Sequence, residues 1–317
     1  MVLFKPPGSI NGQGFTIDNC QSCDIYVLDR SSQVTIDDCK DCRIYLGPVD
    51  GSVFIRDSNG CVLATACRQL RTRGCHDCSV ALYCRTRPIV EASYNMSFGC
   101  FDMPYTAMEG HLRAAKLSPL HNYWWHIYDF TPKDGNWRLL PAGTTTLSLV
   151  QPLPQEVAPS FAPQPAEAPA QEAEQAPAAL PSTLLLTRAE SPEAAGGRYV
   201  FALFEGARRE AALGLAKQLS DKGWLLFTNE AKLSPDTAES LAGEARWAKG
   251  VASQLSPPQP KAKKGQPQQA PPPCVGLEAA VPEAQAGEVG ELLRGAGAHV
   301  TAQTAAGNTF RTMGVDG

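Results

Sequence analysis

Asn19-Cys-Gln-Ser-Cys23, Asp38-Cys-Lys-Asp-Cys42, Asp57-Ser-Asn-Gly-Cys61 and Gly74-Cys-His-Asp-Cys78 are four versions of one phrase, and their last cysteines recur after 19, 19 and 17 residues. Two readings compete. Paired C-x-x-C units are a metal-ligand signature, whereas a fixed period near 20 residues marks stacked coils of chain. Between the phrases run Asp24-Ile-Tyr-Val-Leu28, Gln33-Val-Thr-Ile-Asp37, Arg43-Ile-Tyr-Leu46 and Ser52-Val-Phe-Ile-Arg56, short alternating segments rich in β-branched and aromatic residues with Gly, Asp, Asn and Ser at the corners. A coil of this length holds two or three such strands and their turns, which is one rung of a right-handed parallel β-helix.

In that geometry equivalent side chains of successive rungs sit about 4.8 Å apart. Cysteine suits an inward corner position because it is small and behaves as a buried hydrophobe. Cys20, Cys23, Cys39, Cys42, Cys61, Cys75 and Cys78 are therefore read as a structural ladder. A zinc site on Cys20, Cys23, Cys39 and Cys42 has acceptable local spacing, but the third phrase carries Ser58 and the residues between the pairs read as strands. No metal and no other cofactor is expected.

The chain has 317 residues and a net charge of -4, which argues against a non-specific nucleic-acid binder. Ten of its eleven cysteines lie between 20 and 100, and the odd total without a secretory signal points to reduced thiols. Val2 stands where myristoylation would require glycine. The expected location is therefore the cytoplasm.

Residues 1–145 are read as the β-helix domain, ending in an aromatic cap that carries Tyr123-Trp-Trp125 and Trp137 and a short helix near Met103 to Ala115. Residues 146–197 are Pro, Ala and Glu rich and read as a disordered linker. Residues 198–317 follow the order β-α-β-α-β-α-β, with a low-complexity insert at 256–273, and suit an α/β ferredoxin-like domain.

The charged segment Cys67-Arg-Gln-Leu-Arg-Thr-Arg-Gly-Cys75 carries the candidate site. In a strand Gln69, Arg71 and Arg73 project from one face, and Cys67 and Cys75 bracket them on the same period. Arginines in line on a rigid scaffold can meet an anionic partner, and a guanidinium is the usual donor to a phosphate whose charge grows in a transition state. A solvated, positively charged edge is the plain alternative. Glu91 could be the carboxylate that orients one of the arginines.

The cysteine ladder, Thr35-Ile-Asp-Asp-Cys39, Ile44-Tyr-Leu-Gly-Pro-Val49, Gln69-Leu-Arg71, Pro88-Ile-Val-Glu91, Phe98-Gly-Cys-Phe101 and Asp129-Phe-Thr-Pro132 together resemble the tubulin-binding cofactor C domain family over about residues 9–141. The C-terminal order is similar to a nucleoside-diphosphate-kinase-like domain. The resemblance implies a GTPase-activating protein for an Arf-like small GTPase in its GTP form, serving traffic of lipidated proteins at the ciliary base or cell membrane. It implies Arg71 as arginine finger, Gln69 as its catalytic neighbour, Glu91 as support and Phe130 as a partner contact, with Arg68 and Arg73 beside them. GTP and Mg²⁺ would belong to the partner. Tubulin is the alternative partner, for a scaffold or folding cofactor without catalysis. Val2-Leu3 stand where such proteins carry an acylated Gly-Cys pair, so either a first exon is missing from this sequence or membrane association runs through a partner. His299 lacks the Asn-x-x-His context of a phosphoryl-accepting histidine, and no kinase activity is expected.

Overall fold

The computed structural model describes residues 1–141, 143–161, 184–257 and 272–313 and divides into two units, residues 1–184 and 185–317. In the first unit the strands are β1 (Val2–Lys5), β2 (Phe15–Asp18), β3 (Asp24–Val27), β4 (Val34–Asp37), β5 (Arg43–Leu46) and β6 (Val49–Arg56). They continue as β7 (Val62–Arg73), β8 (Ser79–Cys84), β9 (Ile89–Glu91), β10 (Met96–Cys100), β11 (Tyr128–Asp129) and β12 (Trp137–Leu139). Every pairing among them is parallel, as in a β-solenoid. One face stacks β1, β3, β5, β7, β8, β10 and β12; the other stacks β2, β4, β6, β7, β9 and β11. The long β7 serves both, its first half pairing with β5 and β8 and its second with β6 and β9.

Register explains the core. Ile25, Ile44, Leu63, Val80 and Phe98 lie in one ladder, and Ile17, Ile36, Ile55, Thr72 and Val90 in another; all are buried. Each step of such a ladder removes a branched side chain from water, at roughly 1.5–3 kcal/mol for a fully buried one.

The corners obey a rule visible in the backbone. Left-handed φ values fall immediately before each ladder position: Asn19 and Ser22, Asp38 and Asp41, Asp57 and Gly60, Gly74 and Asp77, Ala92 and Asn95. Asn, Asp and Gly tolerate that conformation best, which is why these types recur in the phrases. Gly60 and Gly74 have a second reason, since a Cβ on either would lie 2.4 Å from the carboxylate of Asp41 or Asp57 in the coil before.

The inward thiols are satisfied by the corner itself. Cys39, Cys42, Cys61 and Cys78 donate to the carbonyl two residues back, and Cys61 also reaches Cys39 O and Cys75 reaches Ile55 O in the preceding coil. Burial pushes the Cys39 thiol up to about 12 and Cys42 to about 11. Among the described residues no group of three or more His, Cys, Asp and Glu has metal-holding geometry. Cys67 and Cys75, which strict alternation places on the period of the Arg71 face, are fully buried, as the inward ladder position of Cys75 requires. The chain turns a corner at Arg68, where the β6 register shifts, so Cys67 belongs to the first face and the alternation breaks there.

The first face is also covered outside. Tyr26 and Tyr45 stack there at 6.2 Å, with Phe101, Tyr105, Met108 and Leu112 of the cap packed over them, the last two on α1 (Met108–Ala114). Residues 146–161, assigned by composition to the linker, join this cover: α2 (Thr146–Val150) delivers Val150, whose carbonyl accepts from Tyr26 Oη, and Phe161 meets Tyr45 edge-on at 5.0 Å. The rest of the expected linker as far as residue 183, and residues 258–271 of the insert, lie outside the described residues.

The second unit opens with α3 (Pro192–Ala195) and β13 (Arg198–Phe204), then α4 (Arg209–Asp221), β14 (Leu225–Ala231), α5 (Pro235–Glu244) and α6 (Val251–Leu255). It closes with β15 (Cys274–Val281), α7 (Ala286–Gly295), β16 (His299–Thr301) and α8 (Thr304–Arg311). Its sheet is antiparallel in the order β14-β15-β13-β16. Where the expected order has one helix between β14 and β15 there are two, α5 and α6, separated where Arg246 and Gly250 adopt positive φ. The final helix, α8, had no place in the sequence reading. It docks through Phe310 on Phe201 and through Arg311, which grips the buried Glu278 that also accepts from Tyr199.

Candidate functional site

Among the described residues nothing covers the outer side of the second face. Along it the register sets Thr35, Phe54, Arg71, Ile89 and Tyr128 in one row and Asp37, Arg56, Arg73 and Glu91 in the next. Gln69 lies opposite Ser52, which donates to Gln69 Oε1 at 3.1 Å. Arg71 is thus flanked by an aromatic and an aliphatic side chain on a rigid sheet. Its inward neighbours Leu70 and Thr72 are fully buried, which fixes the strand beneath it.

Glu91 sits diagonally across from Arg71. Arg71 Nε donates to Glu91 Oε2 at 3.0 Å and one terminal nitrogen donates to the same oxygen. The side chains are 40% and 20% exposed. Such a pair contributes no more than about 1 kcal/mol to stability; what it supplies is orientation, holding the guanidinium plane at the surface with Nη1 left to donate. Arg56 is paired similarly with Asp37, whereas Arg73 is exposed and has no carboxylate partner among the described residues.

The remaining expected residues take different places. Phe130 stands 60% exposed beside this face, its N–H bonded to Val90 O at 2.7 Å, and Tyr128 meets it edge-on. Arg68 lies off the Arg71 face, at the corner, where its Nε donates to Asp50 O at 2.7 Å. The structure therefore brings Gln69, Arg71, Arg73, Glu91 and Phe130 to one surface and sets Arg68 at its rim.

Ser52, Phe54, Ile89 and Tyr128 were missed as neighbours. For the first three the repeat was the available signal: one coil back from Gln69 and Arg71 are Ser52 and Phe54, and one coil on are Ile89 and Glu91. Tyr128 lies beyond the regular coils and had no such signal. In the second unit, His299 is half-buried against Trp247 at 5.6 Å, its buried Nε2 has no hydrogen-bond partner among the described residues, and burial holds its pKa below the usual histidine value.

Comparison with known proteins agrees with this reading of the first unit. Residues 12–130 match the family model of tubulin binding cofactor C. Protein XRP2 of Danio rerio is 51% identical over 150 residues, which is 47% of this chain and 40% of that protein, and Protein XRP2 of Mus musculus is 47% identical over 150 residues, 47% of this chain and 43% of that protein. The chain thus matches less than half the length of these relatives. Tubulin-folding cofactor C of Arabidopsis thaliana is 32% identical over 42% of this chain and 40% of that protein. The solved structure of Tubulin Binding Cofactor C from Leishmania major aligns at 22% identity over 44% of this chain and 89% of that chain, with a TM-score of 0.31. With its ladder, its parallel coils and its Gln69–Arg71 strand, the N-terminal unit is a domain of the tubulin-binding cofactor C family, of the kind carried by the XRP2 proteins.

Proposed function

We propose that the β-helix domain is a GTPase-activating protein for an Arf-like small GTPase in its GTP form, with Arg71 as the arginine finger. The observation that carries this reading is the posture of Arg71: half-exposed at the middle of an open face, anchored below by buried neighbours and held from the side by Glu91. As negative charge shifts across the phosphoryl oxygens, Arg71 Nη1 donates to it without first having to be ordered. Gln69, held by Ser52, places the partner's catalytic machinery, and Tyr128 and Phe130 offer aromatic contact area. GTP and Mg²⁺ are brought by the partner, and this chain needs no cofactor. The setting is cytoplasmic, in traffic of lipidated proteins at the ciliary base or cell membrane. Single-turnover hydrolysis across a panel of GTP-loaded Arf-like GTPases tests it: at least one is accelerated by roughly 10³-fold or more, and a panel without acceleration would end the catalytic claim.

The second reading is a tubulin-binding scaffold, favoured by relatives named Tubulin-folding cofactor C and Tubulin-specific chaperone C. Under it Arg71→Ala would weaken tubulin capture and no GTPase would respond. For the C-terminal unit we propose a ferredoxin-like binding module, supported by its strand order. With its ring against Trp247 and its Nε2 buried, His299 is poorly placed to accept a phosphoryl group, and no kinase activity is assigned.

A further inference from the structure

Arg68, Arg85 and Arg87 share one corner of the solenoid, where the covered face turns into the face that bears Arg71. None of the three has a carboxylate partner among the described residues. In successive coils this corner passes through Arg30, Asp50, Arg68 and Arg85: Asp50 N donates to Ser31 O at 3.0 Å, Arg85 N to Cys67 O at 3.1 Å and Thr86 N to Arg68 O at 3.0 Å. In the lower coils the charges alternate, with Arg30 bonded to Asp50 at 2.5 Å. Above Asp50 the alternation stops. Arg68 turns its Nε onto the Asp50 carbonyl rather than the carboxylate, whose buried Oδ1 has no partner among the described residues.

The next coil adds Arg85 and Arg87. The Arg87 guanidinium lies 4.8 Å from the centre of the Tyr128 ring, joining the corner to the Tyr128–Phe130 pair. All three arginines are half-buried. Arg68 donates to a carbonyl and Arg87 rests on Tyr128, but no carboxylate among the described residues neutralises the three charges, so the corner invites anions from outside.

We propose that Arg68, Arg85 and Arg87 form an accessory docking ridge for a cluster of Asp and Glu side chains on the GTPase that Arg71 serves. The ridge sets association rate and partner choice and leaves the chemical step to Arg71. This rests on the GTPase-activating reading above. A protein partner is favoured because the ridge runs into the aromatic pair bordering the Arg71 face, so one partner can cover both. Planar guanidinium groups match carboxylates two bonds at a time. The chain's net charge of -4 opposes approach to an anionic membrane.

The test compares full-length wild type with Arg85→Gln/Arg87→Gln, with near-ultraviolet dichroism verifying the fold. Stopped-flow association with a responsive GTP-loaded GTPase is followed at low and high salt, beside single-turnover hydrolysis at saturation. The variant associates about tenfold more slowly at low salt, the difference closes at high salt, and the saturated rate changes less than about twofold. Unchanged association, or a saturated rate that falls in step with it, overturns the ridge. A fluorescent decaglutamate probe judges the ridge without any GTPase: wild type binds it at low salt and the variant does not. Equal or absent binding overturns the proposal, as does arginine-dependent binding to phosphatidylserine vesicles in place of the peptide. If wild type accelerates no GTPase yet holds the peptide through these arginines, the Arg71 reading fails and the acid-binding ridge stands.

Discussion

Under the proposed function Arg71 and Glu91 form a pair in which one side chain would act and the other aim it. Glu91 lies 20 residues from Arg71 in sequence, one coil on, and its carboxylate takes the Nε side of the guanidinium. Glu91→Gln keeps the shape and weakens the hold, so GTP hydrolysis at saturation should fall by about tenfold while unfolding free energy changes by less than about 1 kcal/mol. A loss of stability well beyond that would make Glu91 a structural residue. Arg71→Lys should not restore the rate, because an ammonium lacks the fork that meets Glu91 and a phosphate oxygen together. At this scale the sequence singled out Arg71 as a charged residue in a strand and Glu91 as a carboxylate able to orient one of the arginines; which arginine it holds was not legible, since that depends on the register of a coil 20 residues away.

The coil is the unit in which the cysteine phrases make sense. Ser58 stands where Cys39 and Cys75 stand in neighbouring coils, and its Oγ accepts from Cys39 N at 3.1 Å. A fifth, cysteine-free phrase follows the same plan, with Ser93 accepting from Cys75 N and Met96 in the second ladder place. The first ladder place thus takes a small inward thiol or hydroxyl, and the second accepts sulfur side chains as long as methionine. Ser58→Ala leaves the buried Cys39 N–H without an acceptor and should cost about 1–3 kcal/mol in urea unfolding, with Ser58→Cys costing less. Gly74→Ala should cost about 1–2 kcal/mol, because alanine at φ 64° is strained and its Cβ would meet the Asp57 carboxylate. The period and strands of these coils were legible in the sequence because alternation and corner residues repeat. The break at Arg68 was not, because one long strand serves two faces there and no turn residue marks the corner.

Across the first unit, one face is closed and the other open. Composition made 146–161 look like linker, yet Val150, Val157 and Phe161 cover the tyrosines of the first face, a tertiary contact that low local complexity conceals. The N-terminal loop is fastened too: Asp29 accepts from Ile10 N at 2.6 Å, Asn11 N at 2.8 Å and Arg30 N at 2.9 Å, and faces His111 Nε2 at 3.4 Å. Burial alone would raise the Asp29 pKa, but these backbone donors outweigh it and hold it below the ordinary carboxylate value of 3.8. Burial also holds His111 below its ordinary 6.5, against the pull of Asp29.

The unfolded chain therefore binds protons at both groups before the folded one does, and stability falls with pH at each. Thermal unfolding should show a first loss as pH drops below about 6.5, from His111 in the first unit and His299 in the second, and a further loss below about 3.8, from Asp29. His111→Gln should reduce the first step and His111→Gln/His299→Gln should abolish it; if the step survives the double substitution, another group causes it.

The most direct measurement is single-turnover GTP hydrolysis by a responsive Arf-like GTPase, with wild-type protein and with Arg71→Ala at concentrations that saturate binding of each. The account predicts that wild type accelerates hydrolysis and that Arg71→Ala, still folded and still bound, loses about 10³-fold or more of that acceleration. Equal acceleration by both proteins would contradict it.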